Sequence, residues 1–323
     1  MTEDELIAGI GVRLRDVAAP RVLVGIGDDA AVWQPSRSNR SVITTDALVE
    51  GVHFTRDTMS AHDAGWRALA SNLSDIAAMG ARPVLATVAL GFPPGTDPDW
   101  LLGCYDGIAA LAKRAGCPVA GGDLTRAPAV ALAITVVGEV RPSNLKLRDG
   151  ALPGDVLAVT GPLGASAAGL RVAGDPELAG DSRFADVLAA FRTPEPRLHA
   201  GRWLGASRHV RAMMDLSDGL STDLGRLCVA SGVGAVVEAI PVHSGARRVA
   251  RLTRDDPERW ALDGGEDFEL LVAVERRAFA HLAARLAAVT GEQLLRIGTI
   301  TVEPGVRRAD GTAIPPAGWD HLR

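Results

Sequence analysis

The chain has 323 residues, enough for two domains of roughly 150 residues each. It carries 34 Lys and Arg against 39 Asp and Glu, for a net charge of −5, and aromatic residues make up only 4%. An acidic chain with few aromatic side chains is poorly suited to bind a nucleic-acid backbone or to stack on bases. Nucleic-acid binding is therefore excluded as the main function.

The sequence lacks a membrane-spanning apolar run and a CxxC motif, and both features bear on where the protein is located. The N-terminus is acidic, and no apolar run approaches the roughly 18 residues of a membrane span. The three cysteines, Cys104, Cys117 and Cys228, are far apart, and the chain has no CxxC motif. We expect a cytoplasmic protein with no membrane contact and with reduced thiols in its core.

Strand-like and helix-like patterns alternate from end to end, which favours an α/β fold. In the first half, the pattern predicts strands at 41–46, 83–90, 119–122 and 129–140 and helices at 62–79 and 98–115. In the second half, it predicts strands at 156–160, 211–215 and 267–274, helices at 164–172, 196–204, 221–231 and 277–288, and a surface loop at 174–183. A polar segment with Pro and Gly, 141–155, is the predicted linker, so we expect domains at 1–148 and 149–323.

Five segments place Asp residues at the ends of apolar strands or within an otherwise apolar helix. They are 25–30, 44–46, 72–75, 121–123 and 215–219. Burying a carboxylate there is costly unless it is paired or bound to a metal. Oxygen ligands without His or Cys at zinc spacing indicate Mg²⁺ or Mn²⁺. Capping of a turn or helix explains any one of these segments equally well, but the five together favour a metal site.

Glycine, 36 of 323 residues, is more frequent than in most proteins, and we expect the excess in functional turns. Gly121-Gly122 and Gly161–Gly164 would let a phosphate approach the backbone. The chain has neither a P-loop nor the His-Arg-Asp motif of protein kinases. An acidic metal site without a P-loop still suits phosphoryl transfer, which depends on positioning and charge neutralisation.

Several motifs closely resemble the thiamine-monophosphate kinase family, within the aminoimidazole ribonucleotide synthetase superfamily. They are Gly-Ile-Gly-Asp-Asp-Ala (25–30), Thr-Thr-Asp (44–46), His53, Asn-Leu-Ser-Asp-Ile-Ala-Ala-Met-Gly-Ala (72–81), Gly-Gly-Asp (121–123), Asp-Leu-Ser-Asp-Gly-Leu (215–220), Gly-Gly-Glu-Asp-Phe-Glu-Leu (264–270) and Gly-Trp-Asp-His (318–321). They follow in order across nearly the whole chain.

The resemblance implies an N-terminal domain that binds ATP and metal and whose sheet pairs across a homodimer, and a C-terminal α/β domain that covers the nucleotide. It also implies that thiamine monophosphate and ATP react to give thiamine diphosphate and ADP, with several Mg²⁺ ions. The second pKa of a phosphate is near 6, so the accepting oxygen is already ionised at pH 7 and no catalytic base is predicted.

The resemblance further assigns residues to three groups. The implied metal ligands are Asp29, Thr44, Thr45, Asp46, Asp75, Asp123, Asp215 and Asp218. The implied ATP contacts are Tyr105, Gly122, Asp123, Arg148 and Ser217, and the implied contacts to thiamine monophosphate are His53, Glu266 and Trp319. The residues alone leave simpler roles open: a linker arginine, a structural histidine, a strand cap and, for Tyr105 and Trp319, core packing.

Two alternative functions remain at this stage. The first is another ATP-dependent synthase of the same superfamily. Against selenophosphate synthetase, the chain has no Cys before Cys104, and against the hydrogenase-maturation dehydratase, it ends in His-Leu-Arg rather than in Cys. The second is a non-catalytic nucleotide-binding scaffold, which would have no need for the full set of carboxylates.

Overall fold

The computed structural model describes residues 2–26, 30–320 and 322. The chain divides into two compact units, Met1–Ile76 with Arg82–Pro142 and Ala77–Ala81 with Ser143–Arg323. The break after Pro142 falls inside the predicted linker. The prediction of a mixed α/β fold in two domains is confirmed.

The first unit is built around a four-stranded sheet. Its elements are α1 (Glu3–Leu14), β1 (Val22–Val24), β2 (Val32–Trp33), β3 (Arg40–Val49), α2 (Ala61–Ala78), β4 (Arg82–Phe92), α3 (Pro98–Ala115), β5 (Val119–Arg126) and β6 (Ala131–Val140). The strand order is β3-β6-β4-β5, with β4 and β5 parallel and the other neighbours antiparallel. Strands β3 and β5 are therefore the two edges of this sheet.

Helices α2 and α3 cross at two glycines. A Cβ atom on Gly65 would lie 1.8 Å from the carbonyl oxygen of Cys104, and one on Gly107 would lie 1.9 Å from that of His62. Any side chain at either position would force the helices apart, because protein interiors are close-packed. These glycines serve helix packing, so the expectation that the excess glycine lies in functional turns is wrong for them.

Glu139, near the end of β6, joins the segment before β3 to the sheet. Its carboxylate accepts hydrogen bonds from both terminal nitrogens of Arg21, each at 2.7 Å, and from the backbone N–H of Ser36 at 2.9 Å. Arg82 adds an ion pair at 3.3 Å. The Arg21 hydrogen bond is the main cause that lowers the pKa of Glu139 to about 2. The Glu139 carboxylate is thus the shared acceptor of several charge-assisted hydrogen bonds in the first unit.

The second unit contains a six-stranded sheet flanked by helices. Its elements are β7 (Val156–Val159), α4 (Ala165–Ala173), α5 (Pro176–Ala179), α6 (Ala185–Arg192), α7 (Leu198–Gly205), β8 (Val210–Asp215), α8 (Leu220–Ser231), β9 (Gly234–Val237), α9 (Ser244–Thr253), α10 (Pro257–Asp263), β10 (Leu270–Val274), α11 (Phe279–Thr290), β11 (Leu295–Thr301) and β12 (Gly305–Arg308). The strand order is β12-β9-β11-β7-β10-β8, in which only β12 and β9 run parallel.

The prediction of a surface loop at 174–183 is wrong in part. It contains the one-turn helix α5 and the start of a 3₁₀ turn, Ser182–Phe184. Asp175 and Asp181 begin these turns, because each carboxylate accepts a backbone N–H two residues further along. The segment looked like a loop because its polar residues act as caps.

The three cysteines are free and buried, as predicted for core thiols. Burial raises the pKa of Cys104 and Cys117 to about 12 and that of Cys228 to about 11, so all three are protonated at neutral pH. Across the described residues, none of the helices combines the length and hydrophobicity of a membrane-spanning segment.

Candidate functional site

One group of predicted site residues lies where β3 meets α2. The hydroxyl of Thr44 donates a hydrogen bond to a carboxylate oxygen of Asp75. Side chains alternate along a strand, so Asp46 lies on the same face of β3 as Thr44. Asp46 is exposed and Asp75 is half-buried. The Thr44 hydroxyl and the Asp75 carboxylate are therefore in contact, and Asp46 lies on the same face of β3 as Thr44.

Thr45 lies on the opposite face of the same strand. Its hydroxyl donates to the carbonyl oxygen of Ile134 at 3.2 Å and accepts from the hydroxyl of Thr135 at 3.1 Å. Both partners belong to the neighbouring strand β6. The side chain of Thr45 is thus engaged in the sheet, away from Asp46.

His53 lies in the turn that follows β3. Its ring Nδ1 accepts the backbone N–H of Val49 at 3.0 Å, and the backbone N–H of His53 donates to the carbonyl oxygen of Val49 at 2.9 Å. A ring nitrogen that accepts an N–H carries no proton, so the neutral imidazole holds its proton on Nε2. This turn fixes the ring and sets Nε2 as the donor.

A cavity of about 600 Å³ lies between α1, α3 and β5. Three residues that the resemblance assigned to ATP, Tyr105, Gly122 and Asp123, line it together. Ile7 and Ile10 of α1 add apolar side chains. Its volume lies within the range of small-molecule sites. The first unit therefore brings these three predicted residues into one concave surface.

Gly122 is required by the packing of β5 against β4. A Cβ atom there would lie 2.0 Å from the carbonyl oxygen of Val88, which is too close for any side chain at this position. Tyr105 is almost fully buried, and burial raises the pKa of its hydroxyl well above the usual value. The side chain of Tyr105 therefore packs in the core, which is its simpler role, and also lines the cavity.

The sheet separates Asp46 from Gly122 and Asp123, which lie within strand β5 rather than at its end. Asp46 pairs with Ile134, Ile134 with Val88, and Val88 with Gly122, so these residues form one row across four strands. Three interstrand steps of about 4.8 Å amount to roughly 14 Å along the sheet. Among the predicted metal ligands that are described in the first unit, Asp123 is therefore separated from Thr44, Asp46 and Asp75.

In the second unit, the turn after β8 is held by a buried carboxylate. Asp215 ends the strand and is buried. The backbone N–H groups of Ser217 and Asp218 both donate to one oxygen of Asp223, at 3.1 and 3.0 Å. Arg226 forms ion pairs with Asp223, at 2.8 Å, and with Asp218. Burial is the main cause that raises the pKa of Asp223.

Glu266 and Trp319 are joined to this turn through the backbone. Glu266 donates its N–H to the carbonyl oxygen of Ser217 at 2.7 Å, and Trp319 donates its N–H to that of Asp218 at 3.1 Å. A Cβ atom on Gly318 would lie 1.9 Å from the Asp218 oxygen, so the C-terminal segment passes very close. Trp319 is 52% exposed, so core packing is not its role. The second unit thus gathers four predicted site residues: Ser217, Asp218, Glu266 and Trp319.

Arg148 lies apart from that turn. It is exposed, its carbonyl oxygen accepts the hydroxyl of Ser231 at 2.7 Å, and its neighbour Leu147 accepts the N–H of Met213 in the middle of β8. Asp29 lies outside the described residues. Among the residues that are described, no three His, Cys, Asp or Glu side chains are close enough to hold a metal ion together.

Sequence reasoning missed the residues that support these turns, namely Asp223, Arg226, Asp267 and the Glu269–Arg197 ion pair. Asp223 looked like an ordinary position on an amphipathic helix. It lies six residues after Ser217 and five after Asp218, and no local sequence pattern marks a carboxylate at that spacing as their acceptor. Asp267 and Glu269 lie within the quoted 264–270 motif, but their partners are about 100 and 70 residues away in the chain.

The model of the AIR synthase related protein, N-terminal domain, matches residues 27–140, and that of its C-terminal domain matches residues 153–310. A thiamine-monophosphate kinase of Synechococcus elongatus is 40% identical over 296 residues, which cover 89% of this chain and 88% of the relative. The chain belongs to the thiamine-monophosphate kinase family. The predicted family and the prediction of an enzyme, a kinase, are thereby confirmed.

Two solved structures of the thiamine-monophosphate kinase family extend this similarity to the fold. That of Stenotrophomonas maltophilia K279a is 37% identical with a TM-score of 0.86, covering 97% of this chain and 98% of its own. A second, AaThiL complexed with AMPPCP and TMP, is 28% identical with a TM-score of 0.80, covering 99% of this chain and 96% of its own. Nearly the whole length of the chain is therefore matched by relatives of known structure.

Proposed function

We propose that this chain transfers the γ-phosphoryl group of ATP to thiamine monophosphate, giving thiamine diphosphate and ADP. The observation that carries the proposal is the related structure complexed with AMPPCP and TMP, which matches 99% of this chain. AMPPCP is a non-transferring analogue of ATP, so the two ligands stand for the donor and the acceptor of a phosphoryl group. The enzyme class is that of the family to which the chain belongs.

The cavity of the first unit supports the binding of ATP. Gly122 brings backbone close to the cavity surface, Asp123 adds a carboxylate, and Ile7, Ile10 and Tyr105 supply apolar surface. A site that combines apolar surface with a few polar groups is typical of small-molecule binding. Ser217 and Arg148 are the other residues that we propose to contact ATP.

The donor set fits Mg²⁺. Thr44, Asp46 and Asp75 offer hydroxyl and carboxylate oxygens on one face, and Asp123, Asp215 and Asp218 offer further carboxylates. Hard oxygen ligands without nitrogen or sulfur are those that Mg²⁺ prefers. Asp29 and Thr45 complete the proposed set. When bound, Mg²⁺ neutralises the charge of the phosphates.

The residues proposed for thiamine monophosphate differ in chemistry from the metal ligands. Glu266 offers a carboxylate to the aminopyrimidine or the thiazolium cation, His53 offers an N–H at Nε2, and Trp319 offers an exposed aromatic face. The accepting phosphate oxygen is ionised at neutral pH, so in-line attack needs no base from the protein. These groups therefore bind and orient the acceptor.

We also propose a cytoplasmic homodimer formed through β3. This strand is an edge of its sheet, and Ile43 on it is 68% exposed. An edge strand with an exposed apolar side chain is prone to pair with another chain. A second copy that pairs there would cover both the edge and Ile43.

One assay tests the reaction. The purified chain is incubated with ATP, Mg²⁺ and thiamine monophosphate, and thiamine diphosphate and ADP are measured by chromatography. We expect the two products in equal amounts, with no diphosphate when ATP is replaced by AMPPCP. Hydrolysis of ATP without thiamine diphosphate would favour another synthase of the superfamily, and nucleotide binding without turnover would favour a scaffold.

A further inference from the structure

The backbone around Glu266 is strained. Gly265, Glu266 and Phe268 have φ values of 67°, 55° and 49°. Such left-handed values are ordinary for Gly but unfavourable for Glu and Phe. Strained residues of this kind persist only where the surrounding structure holds them, and they concentrate at functional sites. Glu266 therefore needs an anchor close to it in the chain.

Asp267, between the two strained residues, provides that anchor. Its Oδ2 accepts the backbone N–H of Gly164 at 2.7 Å, and its Oδ1 accepts that of Ser166 at 3.3 Å. Gly164 is the N-cap residue of α4, and it has no side chain with which to cap the helix. The carboxylate of Asp267 thus satisfies the first N–H groups of α4 from a position about 100 residues away.

The other side of the strained segment is held by the backbone. The N–H of Glu266 donates to Ser217, and the N–H of Phe268 donates to the carbonyl oxygen of Leu216 at 3.0 Å. The segment 265–268 is therefore clamped between the first turn of α4 and the turn after β8. Removal of either set of hydrogen bonds would free the strained residues to relax.

The residue after this segment is fixed as well. Glu269 is buried and accepts hydrogen bonds from Arg197 at 2.9 and 2.5 Å and from the hydroxyl of Thr160 at 2.6 Å. Glu269 therefore holds the chain at the C-terminal end of this segment. Any relaxation after loss of the anchor would fall within 265–268, on the strained residues Glu266 and Phe268.

We infer that Asp267 is a positioning residue, whose carboxylate ties the strained segment 265–268 to α4 and so fixes Glu266 for thiamine monophosphate. This inference rests on the proposed function. Desolvation raises the pKa of the Asp267 carboxyl to about 7, in spite of the N–H groups of Gly164, Ala165 and Ser166, which lower it. A carboxylate kept in so costly a place is typical of a functional site.

The test compares Asp267→Ala and Asp267→Asn with the unchanged enzyme. Alanine removes both acceptors, whereas asparagine keeps one acceptor oxygen. For Asp267→Ala we expect the KM for thiamine monophosphate to rise about tenfold or more, with a smaller rise for asparagine, while the KM for ATP stays within about twofold. Hydrogen exchange at the amides of Glu266 and Phe268 should accelerate in the same order.

A double-mutant cycle separates positioning from general damage. In a Glu266→Ala background, Asp267→Ala should change the KM for thiamine monophosphate by less than about twofold, because the group that it positions is already gone. Asp175→Ala is the matched control, because it removes the cap of α5 in the same unit. It should leave both KM values unchanged.

The inference is overturned if Asp267→Ala leaves the KM for thiamine monophosphate unchanged, if both KM values rise equally, or if the two substitutions act additively. If Asp267→Ala does not fold, the same measurements on Asp267→Asn test the inference. If the unchanged enzyme makes no thiamine diphosphate, the proposed function fails instead. The exchange rates then still show whether Asp267 anchors the segment.

Discussion

The hydroxyl of Thr44 donates a hydrogen bond to the carboxylate of Asp75 and so joins an edge strand to the helix that packs on it. Asp46 follows two residues after Thr44, on the same face of the strand. The first unit thus carries one carboxylate, Asp46, on this face of β3 and another, Asp75, on the helix that is hydrogen-bonded to it. Their mutual repulsion is a cost that a bound Mg²⁺ would remove.

Asp75→Asn and Asp46→Asn should each abolish measurable turnover, a loss of at least about 10²-fold, because each removes a charged ligand from the proposed metal site. The fold should stay intact, since the amide oxygen of an asparagine at 75 can still accept from Thr44. The Tm without Mg²⁺ should be equal or higher, because like-charge repulsion is relieved.

Asp99→Asn is the control for this pair. Asp99 is exposed in the first turn of α3, and its substitution should leave turnover unchanged. Steady-state kinetics at saturating Mg²⁺ and thermal unfolding without the metal provide the two measurements. Near-normal turnover of either site variant would remove that residue from the metal site.

Glu139→Gln should lower the free energy of unfolding at pH 7 by about 3 kcal/mol, because Arg21 and Arg82 lose their shared carboxylate. The pKa of Glu139 is about 2 in the folded state against 4.5 for the ordinary group. Its stabilisation is therefore complete above pH 4.5 and is lost as the pH falls towards 2. The difference between the variant and the unchanged protein should shrink over that interval.

Urea unfolding at pH 7, 4 and 3 measures this difference. Glu303→Gln is the control, because the carboxylate that Glu303 pairs with Arg307 is itself largely exposed to solvent. Its effect should stay below about 0.5 kcal/mol at pH 7. A Glu139→Gln effect that stays constant from pH 7 to 3 would show that the lost stability does not come from the charge.

Ile43→Lys should shift the proposed dimer to the monomer, because a charged side chain on the edge strand β3 opposes pairing with a second copy. Light scattering should give twice 33.6 kDa for the unchanged protein and 33.6 kDa for the variant. Val302→Lys, on an exposed position of the other unit, is the control and should keep the larger mass. A monomer for the unchanged protein at micromolar concentration excludes the proposed dimer.

Elements with strong local signals could be predicted closely from the sequence. The predicted helix 98–115 coincides with α3, because Asp97 and Pro98 begin it and Gly116, with φ of 63°, ends it. Helix α1 was missed even though Thr2 and Glu5 form a capping box at its start. That signal was present in the sequence and was not used.

Local sequence signals do not predict the contacts that hold the candidate site in place. The motifs located Asp215, Ser217 and Glu266, but no pattern showed that Asp223 and Asp267 hold them. Asp267 reaches α4 from about 100 residues away, and nothing in the sequence marks such a partner. Likewise, the pairing of four strands, and not the motifs, sets Asp46 and Gly122 roughly 14 Å apart. Contacts made by the tertiary fold decide these positions.

Trp319→Ala should raise the KM for thiamine monophosphate with little change for ATP. Trp319 is 52% exposed, and its backbone is fixed by the hydrogen bond to Asp218, so the ring can stack on a cation without rearrangement. The lost contact should be worth about 1 to 2 kcal/mol, which is a KM rise of roughly 5- to 30-fold. Stability should change little, because no core cavity is created.

Trp203→Ala is the matched control, since Trp203 packs against the core of the same unit. It should lower the Tm and leave the KM for thiamine monophosphate unchanged, the reverse of the result expected for Trp319→Ala. The two variants together separate loss of packing from loss of substrate contact, because each removes one indole ring. If Trp319→Ala moves the KM for ATP and not that for thiamine monophosphate, Trp319 belongs to the nucleotide site, and its proposed contact with the thiamine part is withdrawn.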